Sequence, residues 1–198
     1  MEIEKKFILS PTSGLAFSQE CKRCWWLSKN TYWKRPTYGF PTLPGGVDKI
    51  LKKYYDEFRT QNILPPEIST HPKYKTLKPF HDQTKLTEYR RSRWRKSKIE
   101  EQGLAYKDEN LQSILHGGLD ELLETTNGKI VVLDYKTRAS PPKEDTVKWS
   151  QLQLNTYTFL LQKLGHETEK YALLIYYWPE KIKQNGDFQF NSEIKEIN

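Results

Sequence analysis

The chain has 198 residues, a formal net charge of +7 and a hydrophobic fraction of 36%. This length fits one domain that can bury a core without disulfides. No stretch approaches the ~18 consecutive apolar residues that a membrane-spanning helix needs, so we expect a soluble globular protein. The first nine residues carry charges of both signs and no apolar segment of signal-peptide length, so we expect a cytoplasmic protein.

The positive charge is concentrated in one segment. Residues 71–98 contain ten Lys or Arg and two acidic residues, whereas residues 99–198 contain eleven basic and sixteen acidic residues. Basic side chains interleaved with aromatic ones suit a nucleic acid, because cations pair with phosphates and aromatic rings stack on unpaired bases. A solvated helix face or a mobile basic loop is the alternative explanation. The candidate nucleic-acid-binding residues are Arg90, Arg91, Arg93, Trp94, Arg95, Lys96 and Lys98.

The N-terminal half is predicted to be mostly helical, with loops at its proline-rich segments. Apolar residues recur at three- and four-residue spacing between Gly46 and Gln61, as on the buried face of an amphipathic helix. The predicted elements are a helix capped by Ser18 that runs through Leu27, a loop over 34–46, a helix over Gly46–Gln61, an irregular segment over 62–80 and a basic helix over 82–97.

The C-terminal half is predicted to form a sheet with a helical crossover. Asn127-Gly128 is a strong signal for a tight turn between two strands. A hairpin, a helix and then a buried strand imply an α/β architecture. The predicted elements are strands over Leu111–Glu124 and Lys129–Lys136, a helix over Glu144–Leu164 that ends at Gly165, a buried strand over Tyr171–Trp178 and an edge strand over Phe188–Ile197.

Cys21 and Cys24 are the two cysteines, and they are spaced as Cys-x-x-Cys. A structural zinc site needs about four ligands, and the histidines show no paired zinc-finger spacing. Two reduced thiols on a helix are the simpler explanation. A zinc-dependent interaction protein built around these cysteines is a competing hypothesis, and it predicts stoichiometric zinc in the purified protein.

A carboxylate and an amine end an otherwise apolar strand. Asp134 and Lys136 are two residues apart, so their side chains leave the same face, and Asp120 lies on the other arm of the predicted hairpin. Buried charges are costly unless they are paired or bind a metal. Two carboxylates and a backbone carbonyl, here that of Tyr135, suit Mg²⁺. The pattern predicts a Mg²⁺ or Mn²⁺ site that polarises a phosphate and activates a water, with Lys136 acting on either.

Gln153 and Tyr157 lie four residues apart on the predicted long helix and therefore share one face. They are candidates to hold Lys136 or to contact the nucleic-acid backbone. Singly, each candidate has an ordinary explanation, such as a salt bridge between Asp134 and Lys136 or a half-buried Tyr157. The order of the motifs, with a hairpin between the first two and a helix for the third, favours catalysis.

These motifs resemble those of the PD-(D/E)XK nuclease superfamily, and most closely its RecB-like branch, which includes the CRISPR-associated RecB-like exonucleases. Residues 117–120 match Gly-x-x-Asp, residues 134–136 match Asp-x-Lys and residues 153–157 match Gln-x-x-x-Tyr. The resemblance implies a restriction-endonuclease-like α/β core, with a central mixed β-sheet flanked by helices, and metal-dependent hydrolysis of DNA. We expect one domain over 1–198, with a basic helical part over 1–98 and a catalytic sheet core over 99–198.

The sequence departs from that branch in two places. The branch usually has a His or Glu on a helix ahead of the sheet as a further metal ligand, and here Asp48 is the candidate for that role. Some relatives bind an iron–sulfur cluster through one early and three late cysteines. No cysteine follows Cys24, so we expect no such cluster, which argues against helicase-linked and CRISPR adaptation roles.

The sequence thus predicts a metal-dependent deoxyribonuclease centred on Asp120, Asp134 and Lys136. The alternative is a catalytically inactive nucleic-acid-binding module on the same fold. Exonuclease or endonuclease action, strand preference and cleavage polarity stay open at this point.

Overall fold

The computed structural model describes residues 7–32, 34, 42–91 and 103–198. The helical elements are a π-helical segment at Pro11–Ala16, α1 (Phe17–Glu20), α2 (Lys22–Asn30), α3 (Thr42–Thr60), α4 (Pro66–Ser69), α5 (Gln83–Arg90), a 3₁₀ turn at Glu144–Val147 and α6 (Lys148–Lys163). The strands are β1 (Phe7–Leu9), β2 (Lys78–Pro79), β3 (Leu104–Asp108), β4 (Ser113–Gly117), β5 (Glu121–Glu124), β6 (Ile130–Thr137), β7 (Ala172–Ile182) and β8 (Phe188–Ile197). Across these residues, no helix has the length and apolar character needed to cross a bilayer.

The strands form two sheets, and α6 contacts both of them. The smaller sheet has the order β1-β4-β3, and the larger has the order β2-β5-β6-β7-β8. In the larger sheet β5 and β6 form an antiparallel hairpin, whereas β6 and β7 are parallel and are joined through α6. The expected mixed α/β architecture is confirmed, as are the hairpin, the crossover helix and the edge position of β8.

The hairpin turn sets the register of β5 and β6, the two strands next to the candidate acids Asp120 and Asp134. Gly128 has a φ of +78°, a left-handed conformation that glycine adopts without strain. The register that follows pairs Glu121 with Leu133 in antiparallel fashion. Asp120, which precedes Glu121, is therefore brought level with Asp134, which follows Leu133. A local turn signal thus places two distant carboxylates side by side.

The prediction of a single strand over Leu111–Glu124 is wrong. The segment forms β4 and β5, which belong to different sheets, and the chain passes from one sheet to the other between Gly117 and Glu121. Gly117 lies against the ring of Tyr157 on α6, and a Cβ at this glycine would lie 2.4 Å from Cε1 of that ring. The glycine therefore lets β4 end in close contact with α6, and Asp120 lies in the connection between the sheets.

The predicted cap of the first helix is also wrong. Ser18 lies inside the helical turn α1, where its hydroxyl donates to the carbonyl of Leu15. Cys21 has extended backbone angles, and its sulfur accepts from the N–H of Cys24 over 3.2 Å. Cys21 therefore caps α2, a role for which Ser, Thr, Asp and Asn are the usual residues.

Other boundaries in the N-terminal half differ from the prediction. α3 begins at Thr42, inside the predicted loop, and the segment 62–80 contains α4 and β2. α5 ends at Arg90, which is earlier than the predicted end of the basic helix, and residues 92–102 lie outside the described residues. β1 and β3 were not predicted. The described residues of the N-terminal half therefore contain the strands β1 and β2 as well as helices, so the expectation of a mostly helical half is met only in part.

β6 is buried on both faces between two hydrophobic clusters. Val132 packs in a cluster with Leu154 of α6, whereas Leu133 and Tyr135 pack in a second cluster with Tyr55 of α3. Burial of such side chains contributes roughly 1.5–3 kcal/mol each. The strand is therefore fixed from both sides, and any charged side chain on it is held in a defined place.

Aromatic contacts and an ion pair hold α3 on the larger sheet. The ring of Tyr55 stacks on that of Tyr135 with 4.7 Å between centroids, and its hydroxyl lies 2.9 Å from the hydroxyl of Tyr177. Arg59 of α3 donates to the buried carboxylate of Glu121 over 3.0 Å. These contacts fix the C-terminal turns of α3 relative to β5, β6 and β7.

The variant Gly117→Ala is expected to destabilise the fold by about 1–3 kcal/mol, because its methyl group would overlap the buried ring of Tyr157. Urea unfolding followed by circular dichroism measures the change. Gly46→Ala in α3 is the matched control, since a Cβ there meets nothing within 4 Å, and alanine stabilises a helix by up to about 1 kcal/mol. Unchanged stability of Gly117→Ala would contradict the close packing of β4 on α6.

Candidate active site

Asp134 and Lys136 leave β6 on the same face, as predicted, while Tyr135 packs in the cluster on the opposite face. Asp134 is 1% exposed, whereas the side chain of Lys136 is 35% exposed. Nζ of Lys136 lies 2.6 Å from Oδ2 of Asp134. The strand therefore carries a buried carboxylate next to an amine that reaches solvent.

The buried carboxylate of Asp134 is poorly satisfied. Burial raises the pKa of Asp134 to about 7, with Lys136 lowering this pKa and Asp120 raising it further. Although Nζ of Lys136 is close to Oδ2, no hydrogen bond of acceptable geometry reaches this oxygen from the residues that the structure describes. A buried carboxylate oxygen without a donor is costly. The site therefore favours an additional cation.

Two further acids and a lysine complete the charged cluster. Asp120 lies beside Asp134, level with it in the hairpin register, and its negative charge raises the pKa of Asp134. On α3, Nζ of Lys52 lies 2.9 Å from Oδ2 of Asp48 and 3.6 Å from Oδ1 of Asp120. The structure thus brings Asp48, proposed from sequence as the upstream ligand, to the same cluster as Asp120.

Gln153 and Tyr157 form a pair on α6. Nε2 of Gln153 donates to the hydroxyl of Tyr157 over 2.9 Å. Burial raises the pKa of Tyr157; the bond from Gln153 lowers this pKa, and Asp134 and Asp120 raise it. Tyr157 is therefore a neutral phenol within electrostatic reach of both acids. Within the described part of the chain, the side chain of Gln153 bonds to Tyr157, and no bond to Lys136 is found.

The beginning of the basic segment borders the acids. Arg90 is half-buried and donates to Oδ1 of Asp56 over 2.7 Å, whereas Arg91 is exposed. Both arginines line an open cleft of about 430 Å³ together with Lys52 and Asp120. The predicted nucleic-acid-binding residues that lie outside the described residues are Arg93, Trp94, Arg95, Lys96 and Lys98.

The donor set fits a hard divalent cation. Mg²⁺ and Mn²⁺ favour oxygen ligands and retain several waters. Asp134 offers a buried oxygen without a hydrogen-bond donor, and Asp120 offers a carboxylate beside it. In the described ranges, no three His, Cys, Asp or Glu side chains are grouped closely enough to form a metal cage. Backbone carbonyls and water would therefore complete the coordination.

The cysteines do not form a recognisable zinc site among the described residues. Hydrogen bonds from Cys24 lower the pKa of the Cys21 thiol, as expected for a thiol that caps a helix. No third potential metal ligand joins the pair among the residues for which coordinates are described. The described residues therefore give no structural support to the hypothesis of a zinc-dependent interaction protein.

The sequence analysis missed one residue of the cluster, Lys52, and one buried acid on the other face of the sheet, Glu121. Lys52 follows Asp48 by four residues, a spacing typical of helical ion pairs, and this signal was available. Glu121 begins an apolar strand, and burial raises its pKa to about 7, although Arg59 lowers it. Arg59 precedes its partner by 62 residues, and no local pattern signals that pairing.

Comparison with known proteins places the chain in a family. The sequence profile of the PD-(D/E)XK nuclease superfamily matches residues 39–196, a range that contains Asp48, Asp120, Asp134 and Lys136. No curated protein sequence matches the chain at a significant level. Because the profile covers most of the chain and the mixed α/β fold agrees with it, the chain belongs to the PD-(D/E)XK nuclease superfamily.

Proposed function

We propose that the chain is a divalent-metal-dependent nuclease that hydrolyses phosphodiester bonds in DNA. The observation that carries the proposal is the buried Asp134, which lies beside Asp120 and Lys136 and has one oxygen without a hydrogen-bond donor. Members of the superfamily are generally metal-dependent nucleases. The ordered motifs support a place in the RecB-like branch and a role in DNA repair or recombination, which we propose takes place in the cytoplasm.

The proposed metal ligands are Asp120, Asp134 and the backbone carbonyl of Tyr135. Asp48 is proposed to join them through a shift of its side chain, because the three acids of the described residues are not grouped closely enough to hold a metal as they stand. Mg²⁺ or Mn²⁺ held there would polarise a phosphate oxygen and lower the pKa of a bound water. The three carboxylates and the two lysines of the cluster leave one net negative charge when all are ionised. A divalent cation and one phosphodiester group together bring the site to neutrality, which is the balance that a poorly solvated site favours.

Lys136 is proposed to act on the phosphate or on the attacking water. Its ammonium is anchored to Asp134 at the buried end, but part of its side chain reaches solvent. It can therefore turn from the carboxylate to a phosphate oxygen while β6 stays in place. A cation fixed at this point stabilises negative charge that develops on the phosphate during hydrolysis, and it can also orient the water.

Gln153 and Tyr157 are proposed to position the site. Because burial keeps Tyr157 neutral, its hydroxyl is suited to hydrogen bonding and not to proton transfer at neutral pH. Its ring contacts Gly117, three residues before Asp120, so it supports the connection that carries this acid. Gln153 fixes the hydroxyl of Tyr157 by its hydrogen bond.

DNA is proposed to approach along the cleft that Arg90 and Arg91 line, with its backbone phosphates near Asp120. Cationic side chains supply most of the affinity for a phosphate backbone and make it salt-dependent. Arg90 also holds α5 against α3 through Asp56. We therefore assign it both a structural and a binding role, and we assign binding alone to the exposed Arg91.

Lys136→Ala is expected to reduce cleavage of end-labelled DNA by a factor on the order of 10² or more, because it removes transition-state charge stabilisation. Single- and double-stranded substrates are incubated with Mg²⁺, Mn²⁺ or EDTA at low salt. Lys170→Ala is the matched control, since Lys170 is exposed and precedes the opposite end of the neighbouring strand β7. It is expected to cleave like the wild type.

Full cleavage by both Lys136→Ala and Asp120→Ala would show that the site is misassigned. DNA binding without metal-dependent cleavage by the wild type would instead support a catalytically inactive nucleic-acid-binding module. The product ladder of an active protein separates exonuclease from endonuclease action.

Asp134→Asn is expected to abolish cleavage and yet stabilise the metal-free protein at pH 8 by about 2–4 kcal/mol. The pKa of Asp134 is raised to about 7 in the folded state, so the stability it contributes is present at acid pH and lost as pH rises from about 4 to about 7. Denaturant unfolding of both proteins in EDTA between pH 4 and 8 tests this. A pH-independent difference between the two proteins would rule out a perturbed Asp134.

A further inference from the structure

Lys52 stands out in the acidic cluster because it contacts two of the acids at once. Its ammonium lies 2.9 Å from Oδ2 of Asp48 and 3.6 Å from Oδ1 of Asp120, and its side chain is 40% exposed. Lys52 is therefore a cation held between two acids that come from different elements.

This position conflicts with metal binding as proposed above. A divalent cation that uses both Asp48 and Asp120 needs the carboxylate oxygens that the ammonium of Lys52 now contacts. Like charges about 4 Å apart repel each other even when water screens them. The ammonium must therefore withdraw as the metal enters. A lysine on a flexible stem with 40% of its side chain exposed can do so without unfolding α3.

The cleft beside the acids gives the displaced ammonium a destination. Lys52 itself lines this cleft of about 430 Å³, together with Thr87, Arg90 and Arg91. Asp56 pairs with Arg90 and so neutralises part of the positive charge of the cleft. The ammonium of Lys52, once displaced from the acids, would add a positive charge to the cleft next to Asp120. A phosphate group of the nucleic acid is the ligand that this combination of cations fits.

We propose that Lys52 is an exchangeable counter-ion, which neutralises Asp48 and Asp120 before metal binds and pairs with a phosphate of the nucleic acid once metal has displaced it. The inference rests on the proposed function, since it assumes a metal at these acids. It adds an order of events: metal entry precedes tight binding of the phosphate backbone. It also predicts that removing the charge of Lys52 strengthens metal binding and weakens nucleic-acid binding. A purely structural lysine would not produce these opposite effects.

The first test measures Mn²⁺ affinity by titration calorimetry without nucleic acid. Lys52→Met keeps the apolar stem and removes the charge, and it is expected to bind Mn²⁺ about tenfold more tightly than the wild type. Lys52→Arg keeps the charge and is expected to stay close to the wild-type affinity. Lys53→Met is the matched control, because Lys53 is an exposed lysine one residue along α3. Thermal unfolding checks that every variant is folded.

The second test measures oligonucleotide binding with saturating Mn²⁺ in the Lys136→Ala background, in which cleavage is expected to be slow, and gel analysis confirms that the oligonucleotide stays intact during the measurement. Adding Lys52→Met is expected to weaken binding and to reduce the slope of log Kd against log salt by about one, which corresponds to one lost phosphate contact. Lys53→Met in the same background serves as the control.

The exchange would be supported if Lys52→Met binds Mn²⁺ more tightly and, in the Lys136→Ala background, binds the oligonucleotide more weakly and with less dependence on salt. If Lys52→Met binds Mn²⁺ with wild-type or lower affinity while Asp120→Asn abolishes binding, the exchange is refuted and the metal-dependent nuclease stands. If neither the wild type nor Lys52→Met binds Mn²⁺ at all, the exchange and the proposed metal site are both refuted.

Discussion

The buried carboxylate of Asp134 is the constraint on which the rest of the site depends. It is 1% exposed on a strand that hydrophobic clusters cover on both faces. An ionised group in such a place costs several kcal/mol unless a cation compensates it. Lys136 compensates only in part, because Asp120 adds a second negative charge next to it. Two adjacent acids that are shielded from water lower the stability of a fold, because their negative charges repel each other. The same two acids can bind a cation, which compensates that repulsion.

The acidic cluster is assembled by three elements that approach β6 from different directions. The hairpin register brings Asp120 level with Asp134, and α6 packs Tyr157 against the connection that precedes Asp120. α3 contributes Asp48 and Lys52 and is held in place by its aromatic stack on the opposite face of the sheet. Because the supporting contacts lie in the hydrophobic core, the acids can be held close together despite their repulsion.

Local signals made much of the architecture predictable. The Asn-Gly turn, the periodicity of α3 and α6 and the apolar run of β7 each act within a few residues, and all four elements are found. The division of 111–124 between two sheets was not predictable, since it depends on the contact between Gly117 and the ring of Tyr157. The short strands β1 and β3 also escaped prediction, because they are defined by their pairing with β4 and not by their composition.

The sequence alone determined which residues we propose for the chemistry: an acid and a lysine two residues apart on an apolar strand, and another acid across the hairpin. Alternation of side chains and turn geometry are properties of the backbone, so they can be read from a short segment. Only the tertiary structure decided that Lys52 contacts both Asp48 and Asp120, and that Asp134 is buried deeply enough to have a raised pKa. Burial and charge pairing depend on residues far apart in the chain, and their effects exist only once the core has closed around them.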